Sequence, residues 1–169
     1  MKPFAYFFML SALLLAGCGT LHQSREEKEA EARRVAELVN RQLDKGVFQI
    51  DVNYMIPLRG AGRSVSGGYS VKVDGAVIDS HLPYAGVARS VPYGGGKVLT
   101  FQDDIDAYSD KGWKKGQRTI ILSTDNDEDT IVYTLAVSES GYADIHVSCR
   151  NRDDISYRGI LVIPEEPAE

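Results

Sequence analysis

The chain has 169 residues and a formal charge of −5, from 19 Lys and Arg against 24 Asp and Glu. A net acidic body argues against nucleic acid as a partner, which calls for clustered Lys and Arg, and against broad adhesion to anionic lipid. With two cysteines in all, a claim on either one leaves no intramolecular disulfide.

Lys2 gives a short basic start. Residues 4–15 form an apolar run broken only by Ser11, and Leu15-Ala16-Gly17 leads directly into Cys18. That order is a secretory signal ending in a bacterial lipobox; the bland alternative is an ordinary signal peptide. The run is too short for a permanent spanning helix, which needs about 20 apolar residues. Residues 1–17 are therefore expected to be removed and Cys18 acylated, with palmitate or a similar chain. Two or three acyl chains anchor stably where one is marginal. Loss of Lys2 moves the charge from −5 to −6.

Residues 18–24 read as a lipidated tether, and residues 25–163 as a single domain. Its first part, 25–45, is rich in Glu, Ala, Arg and Leu, good helix formers. Val35, Leu38, Val39 and Leu43 recur at three- and four-residue steps, a narrow apolar stripe suited to packing on the body of the same chain. A partner-binding coiled coil would need a longer stripe. Ser24 and Glu27 have capping-box spacing, and Gly46 is a stop.

From 47 to 163 the period becomes two. Phe48, Ile50, Val52, Tyr54 and Ile56 are expected to share one face. A glycine-bearing loop covers 57–68. Tyr69, Val71 and Val73 precede a hairpin turn at Asp74-Gly75, and residues 77–82 return. Residues 119–123 and 130–137 flank the turn TDNDED. Ala143, Ile145, Val147 and Cys149 follow Ser140-Gly141, residues 155–163 make a last strand, and 164–169 are a polar tail. Trp113, between DKG and KKGQ, reads as the anchoring aromatic of another hairpin turn. The expected architecture is mainly β (α+β): an antiparallel sheet curled into a sandwich or open barrel, preceded by one helix.

Residues 80–96, SHLPYAGVARSVPYGGG, break the alternation. Two Pro-Tyr pairs, Pro83-Tyr84 and Pro92-Tyr93, each have glycine close behind. Proline fixes φ and glycine permits positive φ, so this is a defined loop carrying tyrosines. Tyrosine offers a rigid face with a polar tip, suited to recognition. The alternative is that the tyrosines pack over one end of the sheet and bond to backbone.

LPYAG…PYGGG is similar to the LPYFGRAY…PY segment of the Bacteroidetes lipoproteins and secreted proteins grouped as domain of unknown function 4251. GYADIHVSCRNRDDISYRG resembles that family's closing stretch through Gly141, Tyr142, Ala143, Asn151, Arg152, Tyr157 and Gly159. The resemblance spans roughly residues 30–163. Leu82, Pro83, Tyr84, Gly86, Pro92 and Tyr93 carry over as motif residues. His81 and Arg89 stand where the family pattern has aromatics, Ala85 where it has Phe and Val87 where it has Arg. The resemblance implies one compact lipoprotein domain and supplies no activity. It also implies an outer-membrane anchor; with Gly19, Thr20, Leu21 and His22 after Cys18 rather than acidic residues, the body is expected to face the periplasm.

Candidate chemistry is sparse. Asp125, Asp127 and Asp129 have calcium-loop spacing, but Thr130 resumes the strand where the pattern needs Gly and a terminal Glu, so an exposed acidic hairpin turn is expected and no metal or cofactor. Asp103, Asp104 and Asp106 form another acidic group, at a loop or strand start. Cys149 alternates with apolar residues and reads as a buried small hydrophobe. Asp79 and His81 share a strand face and could orient an imidazole for acid-base work, but Ser80 points the other way. His146 falls on the polar side of its strand. The favoured expectation is a non-catalytic envelope lipoprotein binding a partner protein or glycan through 82–96, with His81, Leu82, Pro83, Tyr84, Gly86, Arg89, Pro92 and Tyr93 as contact candidates. The alternatives are a carrier of a small apolar ligand inside the curled sheet, and a hydrolase using His81 and Asp79.

Overall fold

The structure is a computed structural model that describes residues 25–89, 98–126 and 128–164. Cys18 with its signal and tether, Pro92, Tyr93, Asp127 and residues 165–169 lie outside the described residues. Among those described, no helix is long and apolar enough to cross a membrane. The chain divides into two units between Ala32 and Arg33. In the first, the opening turns of helix α1 (Arg25–Asp44) carry an Arg25–Glu29 ion pair of 2.9 Å.

The second unit holds the rest of α1 and ten strands: β1 (Val47–Pro57), β2 (Arg63–Ser64), β3 (Ser70–Asp74), β4 (Val77–His81), β5 (Thr100–Asp104), β6 (Ala107–Lys114), β7 (Gln117–Asp125), β8 (Thr130–Ser138), β9 (Tyr142–Cys149) and β10 (Ile155–Leu161). They form one antiparallel sheet in the order β5-β4-β3-β1-β10-β9-β8-β7-β6, with β2 paired to β1. Eight antiparallel steps separate β5 from β6, so the two edge strands run the same way. They are consecutive in the chain. Ile105 N–H still donates to Ala76 on one side (2.7 Å), and Asp106 N–H to Ser123 on the other (2.9 Å). Residues 100–114 thus behave as one bent strand that leaves the first edge and joins the last, curling the sheet into a half-barrel.

Alternation drives the curl. Every second residue of β7, β8 and β9 is buried, and the interior includes Ile50, Met55, Val71, Val73, Ile78, Ile120, Leu122, Tyr133, Leu135 and Val137, all 0% exposed. No water-sized void opens onto these side chains. Val39 and Leu43 of α1 join the same core. The helix stripe therefore packs on the body, as its shortness implied. Arg118, at the start of β7, fixes the helix end: its Nη1 reaches Asp44 at 2.6 Å, and its Nε donates to Asp110 at 3.0 Å. The guanidinium holds the Asp110 carboxyl below its usual range, hydrogen bonding being the main cause.

The sheet departs from the expected strands in three places. In β1 the register shifts between Val52 and Tyr54, so Met55 enters the core while Tyr54 and Ile56 are half-buried. A bulge adds one residue and turns every later side chain over. The Asp74-Gly75 turn is centred one residue on: Asp74 pairs with Val77, and Gly75 takes φ +62 at the first of two loop positions. Finally, β6 is a full strand rather than only a turn at Trp113. Its polar sequence reflects an edge position, where one side has no strand to pack against.

Candidate functional site

The Pro-Tyr loop leaves β4 at His81 and crosses the end of the half-barrel where β8 begins and β9 ends. Its first half is built into the body. Leu82 is 3% exposed and its N–H donates to Leu99 O at 3.0 Å. The Pro83 carbonyl accepts the Tyr157 hydroxyl at 2.7 Å. The Tyr84 hydroxyl donates to the Asp153 carbonyl at 3.0 Å. Burial raises the pKa of both phenols, so both stay protonated donors across the physiological range. Deeper in, Tyr133 O–H donates to Ser80 Oγ (2.9 Å), and Ser80 O–H donates to Leu99 O (2.9 Å). Tyr84 therefore fastens the loop to the turn after β9, with its ring half-buried. Gly86 is needed beside it, because a Cβ there would run into the Tyr84 hydroxyl.

Residues 87–89 then pair with the turn after β9. Val87 O accepts from Asp153 N–H (3.0 Å), Ala88 bridges to Arg152, and Arg89 N–H donates to Asn151 O (2.8 Å). The Asp153 carboxylate, nearly buried, accepts Val87 N–H at 3.2 Å and lies 3.7 Å from Arg59. The two stretches that carry the family resemblance, 82–89 and 151–159, thus meet in space and hold each other.

Beneath this junction lies a charged cluster. The Arg152 side chain is 4% exposed; its Nη2 lies 3.0 Å from Glu128 and its Nε 3.9 Å from Asp129, whose side chain is 2% exposed. Asp129 also accepts Asn151 N–H at 3.1 Å. The turn bearing it is shaped by Asn126, whose Oδ1 accepts the N–H groups of Glu128 (2.9 Å) and Asp129 (2.8 Å). So the acidic turn is not wholly exposed: Asp129 faces inward to meet Arg152. From sequence Asp129 reads as part of an exposed turn, with a calcium loop as the lesser alternative, because the arginine that buries it lies 23 positions away.

His81 is exposed on the outer face and stacks on Tyr69, with ring centroids 5.3 Å apart. Asp79 lies on the same face, in a depression of about 220 Å³ lined by Lys72, Asp74, Val77 and Gln102. Ser80 faces the core, 1% exposed. The strand thus holds the hydroxyl and the imidazole on opposite sides of the sheet. His146 is exposed and engages Ser156 at 3.0 Å.

Cys149 is 8% exposed and its thiol is pushed up to about 12, mainly by burial and then by Asp129. Only the thiolate is nucleophilic. In a Cys18→Ser variant, where Cys149 is the lone thiol, an aromatic disulfide reagent at pH 8 is expected to react about a thousandfold more slowly than with an exposed thiol. Stoichiometric labelling of the native protein within seconds would show instead that the β9 end opens freely.

Around the fastened backbone, several side chains stay exposed. Leu58 is 61% exposed and Val87 55%. Arg59 and Arg89 are exposed beside them, the first near Asp153 and the second one pairing step along. Arg59 and Leu58 are missed by a sequence pass centred on the Pro-Tyr pairs, and no local signal marks them.

No curated protein matches the chain. A crystal structure of a DUF4251 family protein from Bacteroides eggerthii, at 1.95 Å resolution, shares the fold with a TM-score of 0.53 and 15% identity, over 77% of this chain and 88% of that one. The family model described as domain of unknown function DUF4251 matches residues 26–161. The motifs joined through Tyr84, Asp153 and Tyr157 lie inside that span, and the chain belongs to the DUF4251 family.

Proposed function

We propose that this chain is a lipid-anchored, non-catalytic envelope protein that binds a partner protein or glycan at the loop end of the half-barrel. One observation carries the reading: backbone 82–89 is fastened by Tyr84, Tyr157 and Asp153, while Val87, Arg89, Leu58 and Arg59 around it stay exposed. Ordering this backbone in advance removes a cost that binding would otherwise carry. The membrane location rests on the lipobox at Cys18. The filled interior favours this reading over a carrier, and the opposed faces of Ser80 and His81 favour it over a hydrolase.

The test has two arms. Mass spectrometry of the protein from its own membrane should find acyl chains on Cys18, absent in Cys18→Ser. Crosslinking in the envelope should capture a partner that a Val87→Asp/Arg89→Glu variant loses with its melting temperature unchanged. An unmodified Cys18 would remove the anchor, and capture indifferent to Val87 and Arg89 would move the binding face elsewhere.

A further inference from the structure

The opposite end of the half-barrel, where α1 closes the core, carries a surface the proposed partner binding does not use. The β6–β7 hairpin turns through Lys115 (φ 54) and Gly116 (φ 77), a two-residue tip with both residues left-handed. Just before it, the register shifts between Asp110 and Trp113, with Gly112 at φ 68. The shift interrupts alternation, and Trp113, Lys114, Lys115 and Gly116 are all exposed in succession, with Lys111 exposed before them. None of the three lysines forms an ion pair among the described residues. Of the nearby carboxylates, Asp110 and Asp44 both face Arg118, while Glu139 sits on the adjoining hairpin and Glu37 one turn before Asn40 on α1.

Trp113 is 36% exposed, and its indole N–H already donates to Asn40 Oδ1 at 2.8 Å. Its ring can therefore enter a partly apolar boundary without orphaning a donor. Three strands along the same end, Tyr142 is 66% exposed, and Ile160, its partner in register, 45%. Aromatic rings with flexible lysines around them form the pattern that settles at a bilayer interface.

We infer that this end, led by Lys111, Trp113, Lys114 and Lys115, rests on an anionic phospholipid surface. The body is acidic as a whole, so the contact is local rather than broad. It rests on the membrane location proposed above, and it turns the loop end outward. Each lysine close to such a surface raises partitioning roughly fivefold, so the three together contribute about a hundredfold.

Trp113 is the one tryptophan of the chain, so its emission reports this hairpin alone. The full protein, reconstituted in phosphatidylcholine vesicles with and without phosphatidylglycerol, would be probed with acyl chains brominated near the headgroup. Expected are quenching of Trp113 only where phosphatidylglycerol is present, its loss at high salt, and its loss in Lys111→Gln/Lys114→Gln/Lys115→Gln with the melting temperature kept. Equal quenching in both compositions, or none in either, overturns the inference. Failure to attach to neutral vesicles would instead count against the acyl anchor, because anionic vesicles still read the hairpin.

Discussion

Replacing Arg152 by Met is expected to cost about 3–5 kcal/mol of folding stability, read as a lower urea midpoint with an unchanged slope. The reason lies in what the arginine leaves behind. Asp129 is buried, and its remaining hydrogen-bond partner is a backbone N–H. Without the guanidinium its charge stays in a poorly solvated place, or it takes up a proton. Glu128, one quarter exposed, can turn to water. Glu128→Gln keeps an acceptor for the Arg152 guanidinium and should therefore cost clearly less, about 1 kcal/mol. An Arg152→Met loss as small as that of Glu128→Gln would mean that water reaches Asp129 and that the cluster does not hold the junction.

The pair is not an ideal one. Arg152 Nε is buried without a hydrogen bond among the described residues, although Asp129 lies 3.9 Å away. Buried pairs of this kind often add little stability compared with apolar replacements of both partners. What this one does is positional. It sets the turn after β9, and that turn holds residues 87–89 by two backbone hydrogen bonds, which together form the Ala88–Arg152 bridge. Loss of Arg152 should accordingly loosen Val87 and Arg89, so crosslinking through that face is expected to fall before the protein unfolds.

These contacts mark where the sequence is readable and where it is not. Helix α1 and the core strands follow from local periodicity, which depends on each segment's own residues. So Val39 and Leu43 are found by helical spacing, and Ala143, Ile145, Val147 and Cys149 of β9 by alternation. The β1 bulge is not local. It lies beside Gly159 on another strand, where the two backbones approach closely, and past it Met55 rather than Tyr54 turns inward. The edge strands β5 and β6 are hard to read for a related reason: facing a neighbour on one side only, they need little apolar patterning. At the loop end the Pro-Tyr segment is legible as an ordered loop. Its fastening to Asp153, the inward turn of Asp129 and the exposure of Leu58 depend on partners far along the chain.

The bulge supplies the second large effect. Gly159 lies opposite Val52 in the β1–β10 ladder. A Cβ there would collide with the Asp51 carbonyl oxygen and come within 3.0 Å of Ile50 Cγ2. The obstacle is backbone, so no change of rotamer relieves it, and β1 must move away from β10 or the bulge must dissolve. Gly159→Ala is expected to destabilise the fold by about 3 kcal/mol, the upper part of the range for overpacking, and Gly159→Val to leave it unfolded. Gly75→Ala is the control. It sits at φ +62 with nothing within 4 Å of the added carbon, so it carries backbone strain of about 1–2 kcal/mol and no collision. If steric contact at the bulge sets the cost, Gly159→Ala exceeds Gly75→Ala although the backbone of Gly159 is not left-handed. The reverse order would mean that β1 separates from β10 easily, and that something other than this close approach turns Met55 into the core.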